Sequence, residues 1–330
     1  MKKIIAILSI ITLIFGLAAC SKADDTSSKG KKLTKITVAL DYTPNTNHTG
    51  LYAALELGYF KDAGFDVSII QPSEDGMDLM VASGQAQFGV SFQENVIIAR
   101  TGDSPLPIVA VAAIVEHNTS GILSLKSKNV TSPKDMEGKR YATWDLPVEK
   151  ATLKNVIEKD GGKYENVTMV NSTVTDIVSA LQADIDCVWV FEGWDGMAAK
   201  VAGLDTNYFA FSDINPVLDF YTPVLIANES WMANNKEAAK SFMAAVKKGY
   251  VYAMENHKAA ADILLKHAPE ISPDLCYASQ EFLSAKYASS PETWGVFEEA
   301  RWNGFTDWLF DNGIIGKKPE NSFTNELVKG

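Results

Sequence analysis

From Lys35 onward, the chain alternates short apolar runs with amphipathic ones. KITVAL and FDVSII have the composition of strands, and LYAALELGYFKDAG between them has helical periodicity and closes at Gly64. The same order follows in MDLMVASGQA (helix), QFGVSF (strand), QENVIIARTG (helix) and LPIVAVAAIV (buried strand). Such β-α-β alternation with near-continuous apolar strands predicts a mainly parallel sheet with helices on both faces.

A second α/β unit is predicted after GILSLKS, where strand and helix patterns alternate from RYATWD to DCVWVFE. YTPVLIANESW then has the pattern of a strand, and almost everything after it is helical. We expect the late helices to pack on the first unit, with Phe242, Val246, Gly249 and Ala253 on one helical face and Phe297, Ala300, Gly304 and Trp308 on another. This predicts a discontinuous lobe 1 (35–122 plus 226–330), a lobe 2 (123–225) and crossings near residues 120 and 225.

The first twenty residues, MKKIIAILSIITLIFGLAAC, have the pattern of an export signal. Two lysines precede an apolar run that is too short to span a bilayer, and a small-residue cleavage site follows. Cys20 directly behind Leu-Ala-Ala resembles a bacterial lipobox, which predicts a signal peptide at 1–19 and acylation (a palmitate-type anchor) of Cys20. The alternative is an ordinary signal peptide with an incidental cysteine. Residues 20–34 then form a polar, flexible tether.

Composition and charge argue against nucleic-acid binding and against a metal site. The chain has 330 residues, 46% of them hydrophobic, enough for a large core. Removing Lys2 and Lys3 with the leader leaves 28 basic against 41 acidic residues, a formal charge of −13, which disfavours nucleic acid. Cys187 and Cys276 allow a single bridge in an oxidising compartment, and scattered His and Cys predict no metal. We expect a monomer without a cofactor.

The stretch DYTPNTNHTG, between the first strand and its helix, is unusually rich in small polar side chains. Ligands of open parallel sheets bind outside the carboxyl ends of strands, where this stretch is expected to lie. Asn45, Asn47 and His48 are therefore candidate ligand contacts. The alternative is that they only cap the helix and form the turn, which Asn and Thr often do. One capping residue would be enough for that role, so the interpretation as a ligand loop is preferred.

Other strand ends carry aromatic and acidic side chains that suit a flat, nitrogen-rich ligand. Rings stack on rings, and a carboxylate accepts hydrogen bonds from an amino-heterocycle. The candidates beyond the Asn-rich loop are Tyr42, Ser91, Glu94, Trp144, Glu192, Trp194 and Tyr221. Trp189 lies inside an apolar strand and is expected in the core. None of the three arginines falls in these loops, which disfavours an anion site without excluding one bound by helix N-termini.

These motifs carry a family resemblance over about residues 35–315. The lipobox, VALDYTPNTNHTGLYAALELGYFKDAGFDV, GQAQFGVSFQENV and VWVFEGWDG together resemble the substrate-binding lipoproteins of ABC importers for thiamine-precursor pyrimidines of the formylaminopyrimidine type. The GYF…AG…V portion is shared with sulfonate, taurine and riboflavin binders. The resemblance implies an α/β type II periplasmic-binding fold with two lobes joined by two crossing strands. It places Tyr42 where relatives often have Trp, and Glu192 against the amino-pyrimidine.

The resemblance also implies partners and one enzyme alternative. A receptor of this kind captures a small nitrogen heterocycle and delivers it to an ABC permease at the outer face of the cell membrane. Sulfonate, taurine, nitrate and riboflavin remain alternative ligands in the same fold. Fungal enzymes of this fold make the thiamine pyrimidine from their own histidine and bound pyridoxal phosphate, and His48 lies in the matching block. They carry a Cys-rich iron motif that this chain lacks, so we predict a binding protein and no enzyme.

Overall fold

The computed structural model describes residues 32–73, 76–172 and 174–329. The predicted signal peptide, Cys20 and most of the tether lie outside these residues. The strands are β1 (Thr34–Ala39), β2 (Phe65–Ile70), β3 (Phe88–Ser91), β4 (Ile108–Ala113), β5 (Ser120–Leu125), β6 (Arg140–Thr143), β7 (Thr168–Asn171), β8 (Cys187–Phe191), β9 (Thr206–Ala210) and β10 (Val224–Asn228).

The strands form two five-stranded mixed sheets. The first sheet has the order β2-β1-β3-β10-β4, and the second has the order β7-β6-β8-β5-β9. In the first, β1 runs parallel to β2 and β3, while β10 enters antiparallel with Val224 opposite Ser91. In the second, β6 runs parallel to β7 and β8, and β5 is antiparallel to β8 and β9. The predicted α/β class with two sheets is confirmed.

Helices cover both sheets. They are α1 (Thr49–Glu56), α2 (Tyr59–Asp62), α3 (Met77–Ala82), α4 (Gln93–Thr101), α5 (Pro147–Lys159), α6 (Ile177–Gln182), α7 (Met197–Val201), α8 (Phe211–Ile214), α9 (Glu229–Asn234), α10 (Lys236–Glu255), α11 (His257–His267), α12 (Pro273–Ser284) and α13 (Glu299–Asp311). In the described ranges, none is both long and apolar enough to cross a bilayer.

The late helices pack on the first sheet, as the pattern predicted. Phe242 and Val246 of α10 share a buried cluster with Val38 and Phe88 of the sheet. Contact between α10 and α1 is so close that a β-carbon on Gly249 would lie 2.0 Å from the carbonyl oxygen of Gly50. A glycine is therefore required where the two helix backbones meet.

One local prediction about the helices was wrong, and another was only partly confirmed. The single helix expected from residue 51 to Gly64 breaks after Glu56, because Gly58 adopts φ 79° and α2 starts anew. Of the face predicted around the last helix, Phe297 and Trp308 are buried, but Ala300 is exposed, and the buried side of α13 also contains Trp302 and Phe305. The large side chains determine which face is buried, because they bring more apolar area out of water.

Candidate functional site

The carboxyl ends of the parallel strands define one edge on each sheet, and both connections between the sheets leave from these edges. The first connection runs from the end of β4 at Ala113 to the start of β5 at Ser120. The second runs from the end of β9 at Ala210 to the start of β10 at Val224. The loops that follow β1, β3, β6 and β8 therefore lie at these edges, and the space between the two edges is the candidate cleft. The lobe boundaries expected from sequence stay a prediction, because the strands define sheets and do not show which residues move together.

The Asn-rich loop is held by its own hydrogen bonds. The side chain of Asn45 accepts from the backbone N–H of Asn47 at 2.9 Å, and Tyr250 of α10 donates its hydroxyl to the Asn47 carbonyl at 2.8 Å. His48 Nδ1 accepts from the backbone N–H of Asn45 at 3.1 Å, so Nε2 carries the proton and donates to Asp41 Oδ1 at 2.6 Å. These bonds give the loop a fixed shape.

This loop contains both buried and exposed candidate residues. His48 is completely buried and Asn45 is 6% exposed, whereas Tyr42 is 52% exposed. Ligand contact by Asn45, Asn47 and His48 stays a prediction, and the structure favours a supporting role for His48 because both of its ring nitrogens are occupied. Tyr42 presents its ring beyond the end of β1, where it is free to stack on a ligand.

The second sheet presents an aromatic group at the matching place. Trp144 follows β6 and is 38% exposed, and its ring lies 5.9 Å from that of Trp189. Trp189 also contacts Phe211 at 4.3 Å between centroids. Trp189 is buried, as the sequence predicted, but its indole nitrogen has no hydrogen-bond partner in the part of the chain that the structure describes. Each sheet therefore contributes one exposed ring at its carboxyl edge.

Glu192 lies where β8 ends, beside the first connection between the sheets. Its backbone N–H donates to the Thr119 carbonyl at 2.9 Å. The residue lines a cavity of about 660 Å³ together with Tyr208, Asp213 and Lys286. Burial raises the pKa of the Glu192 carboxyl, and the Lys286 ammonium partly opposes that shift. A half-buried carboxylate in a cavity of this size is well placed to accept N–H groups from a small heterocycle.

Ser91 and Glu94 meet at the carboxyl edge of the first sheet, with Asp78 beside them. Ser91 ends β3, Glu94 lies in the first turn of α4, and Asp78 lies in the first turn of α3. Burial raises the pKa of Glu94 to about 7, and the nearby Asp78 carboxylate adds to that shift. Asp78 was not foreseen from sequence. Its only signal was an acidic residue opening a helix after a strand, which is common where no ligand binds.

Trp194 and Tyr221 pack against other parts of the protein instead of presenting a surface to a ligand. Trp194 packs against a cluster of the late helices that includes Leu264 and Cys276. Tyr221 is completely buried, accepts from the backbone N–H of Glu298 at 2.7 Å and lies under the Arg301 guanidinium at 4.0 Å. Their predicted ligand contacts stay untested, and these positions favour roles in packing.

Among the described residues, Cys187 and Cys276 are unpaired, and they are buried in separate clusters. Cys187 belongs to a cluster with Trp189, and Cys276 to the cluster that Trp194 contacts. Burial raises the pKa of each thiol to about 12. The disulfide that the sequence left open is therefore not formed.

Glu94→Gln is expected to stabilise the protein at pH 8 and to have no effect at pH 4. Because the folded pKa is about 7, above the ordinary 4.5, the wild-type protein loses stability as pH rises through this interval. Glutamine has no proton to lose, so the difference in Tm should grow with pH. Thermal unfolding from pH 4 to 8 measures it. Asp103→Asn, which removes an exposed carboxylate beyond the far end of α4, serves as the control. A difference that stays flat across the range would contradict the prediction.

Comparisons with known proteins bear on the family and the fold. The NMT1/THI5-like family model matches residues 45–260. The formylaminopyrimidine-binding protein of Halalkalibacterium halodurans is 31% identical over 314 residues, covering 92% of each chain. The 4-amino-5-hydroxymethyl-2-methylpyrimidine phosphate synthase THI13 of Saccharomyces cerevisiae is 23% identical over 305 residues, covering 89% of this chain and 88% of the yeast protein.

Solved structures share the fold at low identity. The aliphatic sulphonate-binding protein SsuA of Escherichia coli superposes with a TM-score of 0.68 at 14% identity, covering 87% of this chain and 90% of SsuA. The ligand-binding component of an ABC-type import system of Staphylococcus aureus gives 0.66 at 17% identity, covering 90% and 98%. With two mixed sheets, two connections and a family match over most of its length, this chain belongs to the NMT1/THI5-like family and has the periplasmic-binding-protein fold.

Proposed function

We propose that the protein is an extracytoplasmic substrate-binding lipoprotein of an ABC importer that captures an amino-pyrimidine and delivers it to a permease. One observation carries the choice of ligand. Each edge of the cleft has an exposed ring, Tyr42 or Trp144, and a carboxyl group whose pKa is raised by burial, Glu94 or Glu192. Rings and carboxylates together suit a flat heterocycle that donates N–H bonds.

The arginines support a ligand that is not an anion. Arg100 is bonded to Glu229 at 2.6 Å, Arg140 lies 3.0 Å from Asp184, and Arg301 lies 2.9 Å from Asp219. Each guanidinium is therefore engaged by a carboxylate of the protein. Sulfonates and phosphates are commonly bound by bidentate arginine, so the cleft is a poor match for them.

The proposed activity is capture without chemistry. The two sheets would rotate about their connections and close on the ligand, which stabilises the closed form only by binding it more tightly. Catalysis through His48, as the enzyme alternative requires, is disfavoured because the ring is buried and both nitrogens are occupied. Lipidation of Cys20 and export remain part of the proposal, supported by the leader sequence and by the binding proteins among the relatives.

Glu192→Gln is expected to weaken binding of 4-amino-5-hydroxymethyl-2-methylpyrimidine by about 1.5–3 kcal/mol, because a charge-assisted hydrogen bond is lost. That corresponds to a rise in Kd of roughly 10- to 150-fold, measured by isothermal titration. Glu116→Gln is the matched control, since Glu116 lines the same cavity but its carboxylate already accepts from Ser289 at 2.9 Å. An unchanged Kd for Glu192→Gln, or an equal loss in both variants, would contradict the assignment.

A further inference from the structure

One hydroxyl group of α12 bonds to loops that follow strands of different sheets. Ser279 is completely buried and donates its hydroxyl to the carbonyl of Gly193, in the π-helical turn Glu192–Gly196 that follows β8. The same oxygen lies 2.5 Å from the hydroxyl of Thr46, in the Asn-rich loop that follows β1. A carbonyl only accepts and Ser279 has a single proton, so Thr46 is the donor in the second bond. The result is a directed chain of hydrogen bonds from Thr46 through Ser279 to Gly193.

Packing brings the same segments together. A β-carbon on Gly193 would lie 2.8 Å from the side chain of Leu283 in α12, so the turn approaches this helix as closely as a glycine allows. Just beyond the end of α12, Tyr287 donates its hydroxyl to the Thr46 carbonyl at 2.5 Å. Thr46 and Tyr287 are both completely buried. The end of α12 therefore contacts both loops, independently of the Ser279 hydroxyl.

The residues that Ser279 bonds are immediate neighbours of candidate ligand contacts. Glu192 directly precedes Gly193, and Asn45 and Asn47 flank Thr46. A movement of either backbone therefore displaces a candidate side chain on one edge of the cleft relative to those on the other edge. Groups that bind one small ligand must be held within about 0.5 Å of their productive geometry. A bond that fixes the separation of the two loops therefore affects how well both can reach the same ligand.

Simple stabilisation of the helix explains less of this arrangement. Buried hydroxyls in helices commonly bond a carbonyl of the preceding turn, as Thr306 does to the Trp302 carbonyl at 3.0 Å in α13. Ser279 instead uses both its proton and its lone pair outside its own helix. Its two partners belong to loops of different sheets, so the hydroxyl holds those loops relative to each other.

We propose that Ser279 is a positioning residue that sets the separation between the Asn-rich loop and the turn that carries Glu192. It acts on the ligand only through its hydrogen bonds to Thr46 and Gly193. The inference rests on the proposed function, because it requires a ligand that bridges the two loops. It adds that affinity depends on a buried hydroxyl outside the candidate contacts, since a site whose parts are already in place loses less free energy on binding.

Isothermal titration of the purified protein with 4-amino-5-hydroxymethyl-2-methylpyrimidine tests the proposal. Ser279→Ala is expected to raise Kd about tenfold, the scale of one buried hydrogen bond. Thr46→Val replaces the donating hydroxyl by a methyl group and should raise Kd by a similar factor, whereas Thr46→Ser keeps the hydroxyl and should stay within about twofold of wild type. Ser124→Ala is the matched control, because Ser124 is also buried and its hydroxyl bonds the Val130 carbonyl at 3.1 Å instead of either loop.

A double variant separates positioning from general stabilisation. If Ser279 acts through the placement of Glu192, its substitution should matter little once that carboxylate is gone. Ser279→Ala in a Glu192→Gln background is therefore expected to raise Kd by no more than about threefold, because the effects of coupled residues do not add in free energy. Independent effects would raise Kd by the same factor in both backgrounds.

The outcomes separate the positioning role from the function. A wild-type Kd in Ser279→Ala, together with a lowered Tm, would overturn the positioning role and leave pyrimidine binding in place. An equal rise in Kd with and without the Glu192 carboxylate would overturn action through that residue. If the wild-type protein does not bind the pyrimidine, the proposed function fails and the positioning role fails with it. If Ser279→Ala does not fold, the comparison of Thr46→Val with Thr46→Ser still decides, because only the second keeps the hydroxyl.

Discussion

His48→Ala is expected to lower the free energy of unfolding by about 3–5 kcal/mol, the usual cost of removing one partner from a buried pair that includes a charge. The substitution would leave the Asp41 carboxylate, whose side chain is only 6% exposed, without its N–H donor. It would also leave the backbone N–H of Asn45 without an acceptor. Both groups are then buried and unpaired, which is why the expected loss is large.

Urea unfolding of the wild-type and variant proteins measures this loss. The control is His257→Ala, because His257 begins α11 and is exposed, and a surface change of this type should stay within about 0.5 kcal/mol. An equally small effect for His48→Ala would show that the loop does not depend on the imidazole. The histidine would then be free for a direct role with the ligand.

Trp194→Ala is expected to weaken amino-pyrimidine binding by about 3 kcal/mol, within the range for losing a tryptophan contact that holds two surfaces together. Trp194 lies in the π-helical turn Glu192–Gly196 that follows β8. Its ring nevertheless packs on the late helices that cover the first sheet. Nearby, Ser279 of α12 donates its hydroxyl to the Gly193 carbonyl. These contacts join the two sides of the cleft, so they stabilise the form in which the ligand is enclosed.

Isothermal titration again measures the effect, with small-angle scattering to compare the radius of gyration with and without ligand. We expect the variant to remain more open when ligand is added. Trp231→Ala is the matched control, because Trp231 packs edge-to-face on Phe88 within the first sheet's own core. That change should reduce stability and leave the Kd within about threefold. A wild-type Kd in Trp194→Ala would contradict a role for this contact in closure.

The periodicity of the chain was enough to predict the two sheets and the return of the late helices. Buried strands such as β4, with all six residues out of water, appear in the sequence as short continuous apolar runs, and their alternation with longer amphipathic segments predicts a covered parallel sheet. The break at Gly58 was missed because LYAALELGYFKDAG is apolar on both sides of it, and only the backbone conformation reveals the left-handed glycine. The buried face of α13 was predicted only in part, since Ala300 and Gly304 share the helical spacing of Phe297 and Trp308 but are too small to determine the orientation of the helix.

The candidate site was harder to predict because its contacts join distant parts of the chain. Position after a strand identified Glu192 and Glu94 as residues of the carboxyl edges. The same rule could not show that Asn47 is held by Tyr250, 203 residues away, or that Trp194 packs across the cleft. Such partners depend on which helices return to which sheet. Asp78 escaped notice because its significance comes only from its proximity to Ser91 and Glu94.

A ligand screen of the purified protein tests the central claim most directly. Thermal unfolding would be followed with amino-pyrimidines, thiamine, riboflavin, pyridoxal phosphate, taurine and alkanesulfonates. At a hundredfold excess over Kd, a true ligand adds about 2.7 kcal/mol of stability. We predict a rise in Tm with amino-pyrimidines and none with taurine or the alkanesulfonates. A rise with sulfonates alone would contradict the proposed ligand class, and only the family and the fold would stand.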